Sequence, residues 1–199
     1  MCDNLSPKSL RLVKPEIRVL GVDDGRFTPH SHKKVPVIGV VFRGGYWLDG
    51  VMSTFVTVDG MDATRNVAEM VLTSPHYRQL RVIILNGVTL AGFNVVDIKD
   101  LSRLSGLPVI AVTSKKPDLS QVQKALQHLP ESQKRWNAIL NAGEIFPVTV
   151  KRGKWRIYAE SAGITKDLAI EILRLTSTRS KIPEALRVAH LVASGIGNC

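Results

Sequence analysis

Cysteine is nearly absent: the chain has two in 199 residues, Cys2 and Cys199, one near each end. A pair so placed supplies neither a disulfide framework nor a thiolate metal site, because chain ends are seldom held in fixed geometry. Long apolar runs are missing too. No stretch reaches the 18 residues that suggest a membrane-spanning helix, and Met1 is followed by polar residues rather than by a charged start and apolar signal core. The expectation is a cytoplasmic protein with no membrane partner. Low-complexity tracts and internal repeats are also lacking, which excludes solenoids and fibrous arrays. Acids are few, with 17 Asp and Glu against 27 Lys and Arg, for a net charge of +10. That excess suits a polyanionic partner such as nucleic acid, DNA or RNA. With 44% apolar residues, what remains is one folded domain over residues 1–199. Its first ~15 residues, carrying Ser6-Pro7 and Lys14-Pro15, read as a polar lead-in.

The segment Val19-Leu20-Gly21-Val22-Asp23-Asp24 is an apolar strand that ends in two adjacent acids. Carboxylates at the end of a buried strand need something that neutralises them. A metal ion is one such partner, and a capped turn before Gly25 is the competing reading. Residues 36–42 read as a second buried strand, Gly44-Gly45 as a tight turn, and residues 46–58 as an antiparallel return. Asp59-Gly60 turns the chain. Asp62 stands as N-cap of a helix carrying Val67, Met70 and Val71, which Thr73-Ser74-Pro75 stops.

Residues 80–85 form a fourth strand and 107–112 a fifth. Between them residues 94–104 read as an amphipathic helix, with Asn94 as N-cap and Asp97 in the first turn, completing a βαβ unit. Helices follow over 119–129, capped by Asp118 with Gln121 three residues on, and over 132–142. A strand pair, 145–150 and 155–159, turns on Arg152-Gly153, and helices over 166–175 and 183–196 close the chain. Three antiparallel strands followed by βαβ is the order of an α/β, ribonuclease H-like mixed sheet flanked by helices. In that fold strand one lies parallel to strand four, so Asp23 and residue 86 emerge side by side at the carboxyl edge, where open α/β sheets place ligands.

Gly21-Val22-Asp23, the strand 107–110, and the helix Ile182-Pro183-Glu184-Ala185-Leu186-Arg187-Val188-Ala189-His190-Leu191 resemble endonuclease V. Ala91-Gly92-Phe93-Asn94-Val95-Val96-Asp97 and Val58-Asp59-Gly60-Met61-Asp62-Ala63-Thr64 carry the resemblance further, to an archaeal protein family related to that enzyme. It spans residues 16 to 197 in order. The resemblance implies Mg²⁺ or Mn²⁺ held between a strand-one carboxylate, an acid before the first helix, an aspartate ending strand four and a side chain of the last helix. Asp23 matches the first position, and His190 the last. Strand four, however, ends in Asn86-Gly87 where the family has Asp-Gly, and an amide brings no negative charge to a cation. The glutamate that the resemblance implies before the first helix is missing, and Asp59 or Asp62 stands nearest; as alternatives, Asp59 is a turn residue and Asp62 a cap.

The implied catalytic set is Asp23, Asp62, Asn86 and His190, with Asp23, Asp59 and Asn86 as metal ligands. His190 falls on the inward stripe formed by Leu186, Ala189, Ala193 and Ile196, so a hydrogen-bonded core histidine is its other reading. Arg187 reads either as a neighbour of that site or as a partner of Glu184. Lys115 and Lys116 follow strand five, and Lys151, Arg152, Lys154, Trp155 and Arg156 place cations around an aromatic at a hairpin tip, a pattern suited to nucleic acid. Gly92-Phe93-Asn94 replaces the family's His-Pro-Arg and no Tyr-and-Pro wedge is present, which argues against deaminated-base recognition. The leading expectation is a nucleic-acid-binding protein with weak or specialised metal-dependent endonuclease activity. The alternative is a binding or scaffolding module that lost its metal site through Asn86.

Overall fold

A computed structural model of the chain describes residues 12–151 and 153–196. Arg152, both cysteines and most of the N-terminal lead-in lie outside the described residues. The structure opens with β1 (Arg18–Asp24), β2 (Lys34–Arg43) and β3 (Trp47–Thr57), each antiparallel to the one before. The turn between β2 and β3 depends on Gly44, whose φ of 57° is left-handed. Helix α1 (Ala63–Leu72) leads to β4 (Val82–Asn86), which pairs parallel to β1 with Val19 opposite Val82 and Val22 opposite Leu85. Two short strands, β5 (Thr89–Leu90) and β6 (Asn94–Val95), make a separate small hairpin. Then come α2 (Ile98–Ser105), β7 (Val109–Thr113), α3 (Leu119–Leu126) and α4 (Ser132–Asn141). Strands β8 (Phe146–Val150) and β9 (Trp155–Ala162) and helices α5 (Lys166–Thr176) and α6 (Glu184–Ile196) complete the fold. The large sheet runs β3-β2-β1-β4-β7-β9-β8, with β1, β4 and β7 parallel at its centre.

Side-chain alternation along β1 sorts residues onto two cores. Leu20 and Val22 join the cluster under α1 and α2, whereas Val19 joins the cluster under α5 and α6. Each such aliphatic side chain, fully buried, contributes about 1.5–3 kcal/mol. Asp23 therefore looks toward α6 and Asp24 toward the opposite face. Gly21 is the point of closest approach to α6: a Cβ there would fall 2.3 Å from the Ala185 carbonyl carbon and 2.5 Å from the Leu186 nitrogen.

The helix expected over 94–104 is corrected. It begins at Ile98, and its N-cap is Asp97, whose Oδ1 accepts from the backbone of Lys99 and Asp100. Asn94 belongs to β6 and caps a different helix across space: its Oδ1 accepts from the N–H of Ala63, the first residue of α1. Asp62 occupies the N-cap position of α1 but makes no side-chain cap bond, because its carboxylate turns to Thr57 and Asn94. Asp118 caps α3 through Ser120 and Gln121 as expected.

Candidate active site

Strand β1 carries Asp23 into the interior, 3% exposed, and the parallel strand β4 delivers Asn86 beside it. Asn86 Nδ2 donates to Asp23 Oδ1 at 3.2 Å. From α6, His190 Nδ1 lies 2.9 Å from Asp23 Oδ2. A carboxylate only accepts, so Nδ1 is the donor and the ring leaves Nε2 free of that contact. The His190 side chain is 62% exposed against 4% for Asp23. That corrects the inward placement of His190: it sits on the flank of the buried stripe of Ala185, Leu186, Ala189 and Ala193. Arg187 is not part of this group, because its guanidinium donates twice to Glu184 Oε2, at 3.0 and 2.8 Å.

Asp24, on the other face, accepts from the Ala91 N–H at 2.9 Å. Burial, followed by the charge of Asp23, pushes its carboxyl up to about 6, against the lowering effect of the Ala91 bond. The other two candidate acids lie in a separate knot. Asp59, with φ 52°, accepts from Phe93 N at 2.9 Å and from His30 N at 3.2 Å, lies 3.2 Å from the exposed His30 Nδ1, and donates its own N–H to Ala91 O. Burial alone would raise Asp62, but the bonds from Asn94 and Thr57 outweigh it and hold the carboxyl below its ordinary value. The structure thus joins Asp23, Asn86 and His190 by direct hydrogen bonds, whereas Asp59 and Asp62 make none to these three and Asp59 reaches Asp24 only through Ala91. Among the described residues no three of His, Cys, Asp or Glu stand together as metal ligands.

Arg135 of α4 was not singled out by sequence reading, since a single arginine on an amphipathic helix reads as solvated. It is 2% exposed and donates to the carbonyls of Asp59, Gly60, Phe93 and Pro130. One side chain therefore pins three loops on the α1 side of the sheet.

The basic candidates are spread around the sheet. Lys115 and Lys116 are exposed in the loop that leaves the carboxyl end of β7. At the β8–β9 hairpin, Lys151 and Lys154 lie over the Trp155 ring at 5.0 and 5.1 Å, and Lys151 Nζ donates to Arg179 O. Trp155 also packs against the α5–α6 core, so its ring is partly committed, while Arg156 is exposed. No helix among the described residues is long and apolar enough to cross a membrane.

Comparison with known proteins places this geometry. A protein of Methanopyrus kandleri named UPF0215 protein is 50% identical over 187 residues, covering 94% of each chain. One of Methanothermobacter thermautotrophicus with the same name is 51% identical, covering 94% of this chain and 91% of its own. A solved structure of a protein from Archaeoglobus fulgidus is 36% identical, with a TM-score of 0.80 over 90% of this chain and 97% of its own. Endonuclease V of Ciona intestinalis, solved with a 24mer DNA containing an inosine followed by a ribo-adenosine, is 14% identical. It matches with a TM-score of 0.57 over 86% of this chain and 82% of its own. The fold is the ribonuclease H-like one of endonuclease V, as expected from the strand order. The family model described as endonuclease dU matches residues 15–197, and the chain belongs to that family.

Proposed function

We propose that the protein is a nucleic-acid endonuclease whose reacting centre is Asp23, His190 and Asn86. The observation that carries this is the 2.9 Å contact between Asp23 and His190, which leaves a solvent-facing ring nitrogen at the carboxyl edge of β1. Asp23 orients the imidazole, and His190 Nε2 is the atom that exchanges a proton with a phosphodiester oxygen or an attacking water. Asn86 keeps the carboxylate aimed at the ring. Lys115, Lys116, Lys151, Arg152, Lys154, Trp155 and Arg156 are proposed to hold the strand, mainly through phosphates. The name of the family favours DNA containing deoxyuridine, against the sequence expectation that deaminated bases are not read.

Mg²⁺ or Mn²⁺ fits this donor set in one form. Mg²⁺ is commonly held by one or two carboxylates plus substrate phosphates. Asp23 supplies one anion with lone pairs to spare, and the Asn86 amide oxygen accepts no hydrogen bond from the described residues. These two would hold the ion with the phosphate completing its shell; Asp59 makes no hydrogen bond to either of them and is held instead by Phe93 and His30. The ion, when bound, would acidify a water and offset charge on the leaving oxygen.

The test is cleavage of single- and double-stranded DNA carrying one deoxyuridine or one inosine, with Mg²⁺ or Mn²⁺, by the parent and by Asp23→Ala. Cleavage by the parent that falls at least about 100-fold in the variant is expected. An Asp23→Ala protein that cleaves as fast as the parent sinks the assignment. The second reading, a binding module, is favoured by one observation: Asn86 offers an amide where the related enzyme has an aspartate. Gain of metal-dependent cleavage in Asn86→Asp would identify a weakened nuclease. Unchanged inactivity with binding intact would identify the module.

A further inference from the structure

The reacting centre engages one phosphodiester, and nothing in it explains the loop that follows Asp23 and Asp24. Residues 25–33 join β1 to β2 and border an open cleft of about 310 Å³, lined by Arg26, Phe27, Thr28, Ser31, Lys33 and Lys34. Three cations, two hydroxyls and an aromatic ring share this wall, and no acid lines it. The side chains of Lys33 and Lys34 form no ion pair among the described residues, so their charge is available to a ligand. Phe27 is 37% exposed, and its ring lies 3.6 Å from where a side chain at Gly92 would begin. The ring therefore rests on bare backbone on one side and faces the cleft on the other.

The loop is held in shape. Gly25 N donates to Pro36 O at 2.8 Å, Val58 N to Lys33 O at 2.9 Å, and His30 N to Asp59 Oδ2 at 3.2 Å. His30 and His32 adopt left-handed φ values of 58° and 52°, which non-glycine residues hold only when their surroundings impose them. Asp59 is the group that imposes the first. A rigid loop presenting a ring beside Lys33 and Lys34 is the arrangement that single-stranded nucleic acid selects: bases stack and phosphates pair. Phe27 is four residues beyond Asp23, a reach of at most about 14 Å. Even at the duplex rise of about 3.4 Å per nucleotide, that places it within about four nucleotides of the reacting bond.

We propose that the β1–β2 loop is a single-stranded nucleic-acid subsite in which Phe27 stacks on a base and Lys33 and Lys34 hold the flanking phosphates. It rests on the reading of the protein as a nucleic-acid enzyme and adds where the strand runs. The stacking is sequence-tolerant, so the subsite fixes the strand and leaves base identity to another part of the molecule.

The experiment is fluorescence anisotropy of the full chain with a labelled 12-nucleotide oligothymidylate in a chelating buffer, over a series of salt concentrations. Phe27→Ala is expected to bind about tenfold more weakly with an unchanged salt slope, and Phe27→Trp to restore affinity. Lys33→Ala/Lys34→Ala is expected to lower the slope of log affinity against log salt by about 1.4, two single-strand phosphate contacts. If the parent binds and both Phe27→Ala and the double variant keep its affinity and slope, the subsite is refuted while the nucleic-acid reading stands. If the parent binds no oligonucleotide at any salt, the nucleic-acid reading falls and the subsite with it. Thermal melting shows whether each variant folds; should Phe27→Ala fail to, Phe27→Trp and the lysine variant decide.

Discussion

Two groups of acids, each with one buried member, lie along the same edge of the sheet, and they differ in where their partners lead. At the β1–β4 edge, Asp23 is bonded by Asn86 and His190, both exposed, each with a further polar atom turned toward solvent. In the loop knot, Asp59 is bonded by backbone N–H groups and by the exposed His30 ring, and Asp62 by Thr57 and the fully buried Asn94, while Arg135 caps the surrounding carbonyls. Burial of a carboxylate is common to both. Each also carries an exposed imidazole; what separates them is the second partner, an exposed side-chain amide that leaves the Asp23 centre open, against backbone N–H groups and the buried Asn94 that close the knot around Asp59 and Asp62.

The contrast is open to test by substitution. Arg135→Met should show the largest effect. It strips several buried carbonyls of their donor, and chemical denaturation should record a loss of about 3–5 kcal/mol. A loss below about 1 kcal/mol would mean that water satisfies those carbonyls and that the knot is looser than described.

Glu160 of β9 sharpens the comparison as an acid that is neither open nor closed: it is 8% exposed and accepts no hydrogen bond among the described residues. Burial raises its carboxyl from 4.5 to about 7. Between those values the folded protein keeps a proton that the unfolded chain has released. Stability should therefore fall as pH rises from 4.5 toward 7 and stay lower above it. Glu160→Gln removes that dependence, and at pH 8 the variant should be more stable than the parent by about 1–3 kcal/mol. Equal denaturation midpoints for the two proteins at pH 8 would show that Glu160 is solvated.

The smallest effect on folding belongs to the open centre. His190→Asn should change stability by less than about 0.5 kcal/mol, as exposed positions do, while removing cleavage. A large loss of stability would instead class His190 with the pins.

Much of this architecture was legible in the sequence. Apolar runs with turn residues between them marked the central strands, and their order set β1 beside β4, which makes Asp23 and Asn86 neighbours. The β5–β6 hairpin was missed because two-residue strands carry no period, and Asn94 followed by an apolar run has the pattern of a helix start. Its capping role was real but served α1, 31 residues earlier, a pairing that local pattern cannot express. Whether the acid of Asp59 or Asp62 faces backbone or solvent was not legible, because an acid near a helix start has the same letters in both cases. Arg135 and Phe27 gave no signal for the same reason: their roles depend on carbonyls, glycines and loops distant in the chain.

The missing side chain at Gly21 acts as the zero mark of a ruler. Leu186 meets β1 at Gly21, His190 meets it at Asp23, and the Ala193 carbonyl oxygen lies against Gly25. Four residues of helix rise about 6 Å and two residues of strand about 6.7 Å, so the two scales stay in step over the length of the site. A methyl group at Gly21 would lift the helix at its reference point and carry His190 off its mark, without touching any residue that takes part in the chemistry.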